Sequence, residues 1–185
     1  MTKGIDKYNY ALVSADYRLA PQVGVADILE DVKDCIAFVR NELSKHVAEG
    51  TIDTTRLAVS GSSAGGYLAF LAGLYVEPKP QVILPIYPIT DPFGTFFTTS
   101  QPHPMGGGRS DPKALAAYTD VDGEVVANSE GASQRSQMYA LMLQEANLAS
   151  LLKAKAGDDT FRVARKVYER GLPPAYVVHG DIGMA

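Results

Sequence analysis

Arg56–Tyr75, RLAVSGSSAGGYLAFLAGLY, decides the fold. An apolar run, Leu57-Ala58-Val59, leads into Gly61-Ser62-Ser63-Ala64-Gly65, and small-residue helical spacing follows through Ala69 and Ala72. This is the G-x-S-x-G spacing of a serine held on a sharp strand-to-helix turn. Strand and helix pass so closely at such a turn that side chains at 61 or 65 are expected to collide, leaving Ser63 in a strained conformation. Among 17 glycines in 185 residues, the bare spacing arises by chance in roughly one chain in ten. The weight therefore rests on the flanking strand and helix. A Gly/Ser-rich turn without chemistry, or one that binds an anion at the helix N-terminus, also fits these residues.

Working outward, Tyr10-Ala11-Leu12-Val13-Ser14-Ala15 reads as a strand buried on both faces. A helix is expected from Val25 to Val47. Val25, Ile28, Leu29, Val32, Ile36, Val39, Leu43 and Val47 form one core-facing stripe, and His46 falls in the last turn, where it favours the helix dipole. Glu77-Pro78-Lys79-Pro80 breaks the helix after the serine turn, and residues 81–87, QVILPIY, read as a third strand. Strand–helix–strand–helix–strand with such crossovers means parallel pairing, hence an α/β fold with a mostly parallel sheet of about four strands flanked by helices. From about 92 to 171 the chain is turn-rich and then helical, with helices expected at 113–118, 134–155 and 160–170. A cap laid over the carboxyl edge of the sheet is the natural reading. Ala175-Tyr176-Val177-Val178-His179 is the last strand.

The totals bound the function. One domain is expected, with 46% hydrophobic residues for its core and no run long enough to span a membrane. A net charge of −4 without a basic block argues against nucleic acid as a partner. The lone Cys35 excludes an internal disulfide, cannot build a thiolate metal site, and lies in an apolar stripe that suits packing. The polar stretch from Met1 to Lys7 is no signal peptide, which makes the cytoplasm the expected compartment.

Four segments, in order, resemble the α/β-hydrolases, specifically the branch of hormone-sensitive lipase and small-ester carboxylesterases. They are Ser14-Ala15-Asp16-Tyr17-Arg18-Leu19-Ala20-Pro21, Gly61-Ser62-Ser63-Ala64-Gly65-Gly66, Ile86-Tyr87-Pro88, and the segment from Pro173 to Asp181, PPAYVVHGD. The resemblance implies that Ser63 is the nucleophile on an elbow framed by Gly61 and Gly65. It gives the Ala64 N–H to the oxyanion, and implies small uncharged esters or apolar ligands as partners and neither cofactor nor metal. Asp181 is the candidate triad acid, two residues short of the family's position, which Gly183 holds. Tyr17 and Arg18 are expected to be structural supports.

The resemblance also implies parts that these 185 residues do not supply. A His-Gly-Gly-Gly-type oxyanion loop and its strand would precede Tyr10, and a final strand and the catalytic histidine would follow Asp181. The chain is therefore expected to be an incomplete hydrolase domain, truncated at both ends. The missing strand would lie between residues 10–15 and the elbow strand, so these two either close up and pair or stay exposed. His103-Pro104-Met105-Gly106-Gly107-Gly108 lies after the third strand and reads as a cap turn. None of His46, His103 and His179 is placed to be the base. Loss of an oxyanion donor costs about 10²–10³ in turnover, and loss of a triad histidine on the order of 10⁶. Alternatives to ester hydrolysis are acyl transfer through the same serine and a non-catalytic, ligand-binding relative.

Overall fold

The computed structural model describes residues 5, 7–127, 133–155 and 157–180. Its centre is a parallel pair, β1 (Ala58–Ser62) and β2 (Val82–Ile86), in register from Ala58 opposite Val82 to Ser62 opposite Ile86. Residues 175–178 lie parallel along the other edge of β2, bridged at Ala175–Ile83 and Val178–Ile86. That edge is held by Ile83 N–H to Pro174 O (3.0 Å), Tyr176 N–H to Ile83 O (3.0 Å) and Val178 N–H to Pro85 O (3.0 Å). In this ladder the N–H of residue 85 would face Tyr176 O. Proline has none, so the pairing is interrupted there and the expected last strand is reduced to two bridges.

The strand expected at residues 10–15 does not form. These residues belong to no strand, and Tyr10, Leu12 and Val13 are exposed. Among the described residues, 11–15 make no backbone hydrogen bond. Among the described residues the free edge of β1 is unpaired too. Ser63 N–H donates to Ile86 O, which sets the alternation: odd-numbered residues of β1 turn their main chain to β2. Ala58, Ser60 and Ser62 therefore turn theirs outward, and all three are exposed. Of the two outcomes expected for these neighbours, exposure is the one observed. The described sheet accordingly has two strands and a bridged third segment, not four strands.

The connection from β1 to β2 is α2 (Ala64–Tyr75), a crossover helix that makes parallel pairing possible. Residues 66–74 are buried without a break, the mark of a helix packed on every side. It lies against both strands and against α1 (Val25–Asn41). Tyr67, Leu68, Phe70, Leu71 and Leu74 share a core with Val25, Ile28, Leu29 and Ile83. Helix α1 starts where the Asp27 carboxylate accepts from Gly24 N–H (2.9 Å). It stops at Asn41, earlier than expected, with a 3₁₀ turn at Leu43–Lys45. His46 ends that turn, not the helix, and stacks on Phe38 at 5.7 Å. Burial pushes the Cys35 thiol up, and the side chain is half-buried.

Arg18 fixes the entry to α1. Its main-chain N–H, Nε and Nη2 all reach the Asp31 carboxylate, at 2.8, 3.0 and 2.7 Å. Beside it, Tyr17 packs against the main core. Both are supports of the scaffold.

The segment from 92 to 171 is less regular than its sequence suggests. Short helices lie at α3 (Thr95–Thr98) and α4 (Ala116–Thr119). The long helix expected at 134–155 is split into a 3₁₀ turn (Gln134–Gln137), α5 (Met138–Glu145) and α6 (Leu148–Leu151). The break falls at Ala146, which ends α5 in the left-handed region (φ 53°). The last helix of the segment is α7 (Val163–Arg170). Gln22 ties several of these pieces together: its Nε2 donates to Asp120 O (2.6 Å), its Oε1 accepts from Arg135 (3.1 Å), and its carbonyl accepts from Lys153 Nζ (2.8 Å). On the other flank the Tyr67 hydroxyl donates to Phe161 O at 2.7 Å, and that of Tyr75 to Thr160 O. Among the described residues no helix is long and apolar enough to cross a membrane.

Two predictions follow from this packing. Leu71 is fully buried, so Leu71→Ala is expected to cost about 2–5 kcal/mol in urea unfolding. Hydrogen bonding to Arg18 lowers the pKa of Asp31. Its contribution is therefore complete above the ordinary value of 3.8 and is lost as pH falls through the lower folded value. The stability gap between the unsubstituted protein and Asp31→Asn should be widest near neutral pH and shrink once the pH drops below 3.8.

Candidate active site

At the end of β1 the chain turns at Ser63, with φ 53° and ψ −117°, and enters α2 at the next residue. A non-glycine residue so far from the allowed regions costs on the order of 1–3 kcal/mol. Three main-chain hydrogen bonds hold it there. Ser63 N–H donates to Ile86 O (3.0 Å), and Ser63 O accepts from Tyr67 N–H (3.1 Å) and Ile89 N–H (3.2 Å). At about 0.5–1.5 kcal/mol net each, these bonds are of the size needed to offset the strain. Two of them come from residues 86–89, so the loop after β2 is half of the clamp. That loop carries a second strained residue, Tyr87 (φ 34°), whose N–H donates to Val178 O at 2.6 Å.

The glycines divide the steric work differently from the motif reading. A Cβ at Gly61 would lie 2.3 Å from Gly65 O, which no adjustment of a side chain can relieve. A Cβ at Gly65 would meet nothing within 4 Å, so the collision expected at position 65 is corrected. The second crowded position is Gly66, whose Cβ would lie 2.8 Å from Pro88 Cβ and 2.9 Å from Pro88 Cα. The doubled Gly65-Gly66 and the Tyr87-Pro88 pair were the sequence signals of that contact.

Ala64 is the first residue of α2, so its N–H has no acceptor within the helix, and among the described residues it makes no other main-chain hydrogen bond. Ser63 is half-buried, and among the described residues its Oγ makes no hydrogen bond. The histidines are engaged elsewhere. His46 stacks on Phe38, His103 Nδ1 accepts from Met105 N–H (3.2 Å), and His179 Nδ1 faces Gly180 O at 3.0 Å. Residues 103–106 form a turn closed by Gly106 N–H to His103 O (3.1 Å). Asp181 lies outside the described residues. Asp91, between the loop after β2 and the capping segment, accepts from Phe93 N–H (3.1 Å) and pairs with Arg162 at 3.5 Å. It is tied into the scaffold.

Residues 1–101 match the BD-FAE family. Across 182 residues the chain is 26% identical to a protein of Cochliobolus lunatus named "Probable carboxylesterase clz11", covering 92% of this chain and 83% of that one. A solved structure of a protein of unknown function from Staphylococcus aureus subsp. aureus Mu50 superposes with a TM-score of 0.68 at 19% identity, covering 89% of this chain and 56% of its own. An alpha/beta hydrolase superfamily protein from Enterococcus faecalis superposes at 0.61 with 21% identity, covering 86% and 55%. The chain thus spans little more than half the length of either solved structure. With the turn at Ser63, the parallel pair and the match over more than half its residues, the chain belongs to the BD-FAE family and has an α/β-hydrolase fold.

Proposed function

We propose that this chain carries the nucleophile of a serine hydrolase acting on small uncharged carboxylic esters, and that Ser63 is that nucleophile. The observation that carries the reading is the strained, hydrogen-bonded turn that lifts Ser63 between β1 and α2. The carboxylesterase name of the Cochliobolus relative supports the same class. Ser63 Oγ would attack the ester carbonyl carbon, the Ala64 N–H would donate to the oxygen as it becomes negative, the alcohol would leave with the serine's proton, and water would then cleave the acyl-serine to free the acid and restore Ser63. No cofactor is needed for these steps. Asp181 is proposed as the acid that orients a base, and residues 92–171 as the cap that shapes the pocket, anchored through Gln22, Tyr67 and Tyr75.

The proton on Ser63 Oγ needs an acceptor, and none of the three histidines bonds to it. Stoichiometric reaction and turnover should therefore separate. A fluorophosphonate probe is expected to label Ser63 slowly and once per chain, with the site mapped by peptide mass spectrometry and lost in Ser63→Ala. Labelling at another serine, or none, would overturn the assignment. Hydrolysis of p-nitrophenyl butyrate by the 185-residue chain is expected to match that of Ser63→Ala, since absence of a triad base costs on the order of 10⁶ in turnover. Robust turnover abolished by Ser63→Ala would show that a base is present.

A further inference from the structure

We infer that Gly66 is a positioning residue for Ser63, acting through Pro88. The inference rests on the proposal that Ser63 is the nucleophile. The loop that clamps Ser63 runs Ile86-Tyr87-Pro88-Ile89: the carbonyl at its start accepts from Ser63 N–H, and the N–H at its end donates to Ser63 O. Between these two bonds sits Pro88, and it rests on the first turn of α2 at Gly66. The space there is closed on both sides. A methyl at 66 would lie 2.8 Å from Pro88 Cβ, 2.9 Å from Pro88 Cα and 3.2 Å from Gly61 O.

The direction of relief is fixed by what surrounds the contact. On the far side the same methyl would face main chain, the Gly61 carbonyl at 3.2 Å, which has no side chain to turn aside. Pro88 is rigid in φ and offers no flexible end to turn aside. The loop must move, from 2.8 Å to at least the 3.4 Å where ordinary contact begins. Such a shift is carried into Ile86 O and Ile89 N–H, the two groups that pin the serine. Gly66 thereby sets how closely the loop docks, and the docked loop sets the angle of Ser63. Gly65, one residue earlier and inside the recognised motif, has open space over its Cα and no such role.

Native-state amide exchange followed by NMR tests this without requiring Ser63 to react. Gly66→Ala should speed exchange of the Ser63 and Ile89 amides roughly tenfold, with the Leu71 amide unchanged. Gly65→Ala should leave the protection of both amides as it is. Pro88→Gly alone should also loosen the two amides, and Gly66→Ala with Pro88→Gly should restore them, because the added methyl occupies the space the ring vacates. Fluorophosphonate labelling should follow the same order, falling about tenfold or more in Gly66→Ala. Unchanged exchange at Ser63 and Ile89 in Gly66→Ala would overturn the inference. So would a uniform rise across α2, which is what a merely structural glycine would give, or an equal rise in Gly65→Ala. If Gly66→Ala does not fold, Pro88→Gly decides by the same two amides. Failure of the unsubstituted protein to label would count against the proposed nucleophile, while exchange would still decide the role of Gly66.

Discussion

The main chain of Ser63 is bonded on both sides to the loop that follows β2, and much of the described architecture serves that clamp. A turn with φ 53° and ψ −117° does not persist by local preference. It persists because the register of β1 against β2 delivers Ile86 O to Ser63 N–H and brings Ile89 N–H back to Ser63 O. Parallel pairing is thus part of the site. It exists because α2 carries the chain over one face of the sheet, and α2 can do so because nine consecutive residues of it are suited to burial.

The same sheet is secure on one side and open on the other. Beyond β2, residues 175–178 add hydrogen bonds on either side of the gap that Pro85 imposes, and Val178 O accepts from Tyr87 N–H inside the clamp loop. Beyond β1, the outward main-chain groups at Ala58, Ser60 and Ser62 meet no described neighbour, and residues 10–15 lie exposed and in no strand. The clamp is therefore supported from the β2 side and from α2, with Asp120, Arg135 and Lys153 tied in through Gln22.

What the sequence made legible was what local chemistry dictates. Leu43 and Val47, expected on the same stripe, fall beyond the end of α1, but the turn at 61–65, the stripe from Val25 to Val39 and the apolar course of α2 depend on spacing and polarity, and they were read correctly. Residues 10–15 were not, because an apolar β-prone run states a preference, while a strand needs a neighbouring main chain to pair with. The helix at 134–155 was overextended because periodicity does not reveal that Ala146 turns left-handed. At the site, G-x-S-x-G marks where backbone is crowded but not which Cα faces the neighbour. That is why Gly65 stood for a contact that Gly66 makes with Pro88. The clamp bonds were illegible for the same reason, since they join residues more than twenty positions apart through main-chain atoms.

The conformation of Ser63 is the quantity on which this account turns, and an atomic-resolution crystal structure of the 185-residue chain measures it directly. The clamp predicts a positive φ near 53° at Ser63, with hydrogen bonds to both Ile86 O and Ile89 N–H. A Ser63 with negative φ, its main chain released from residues 86–89, would contradict it.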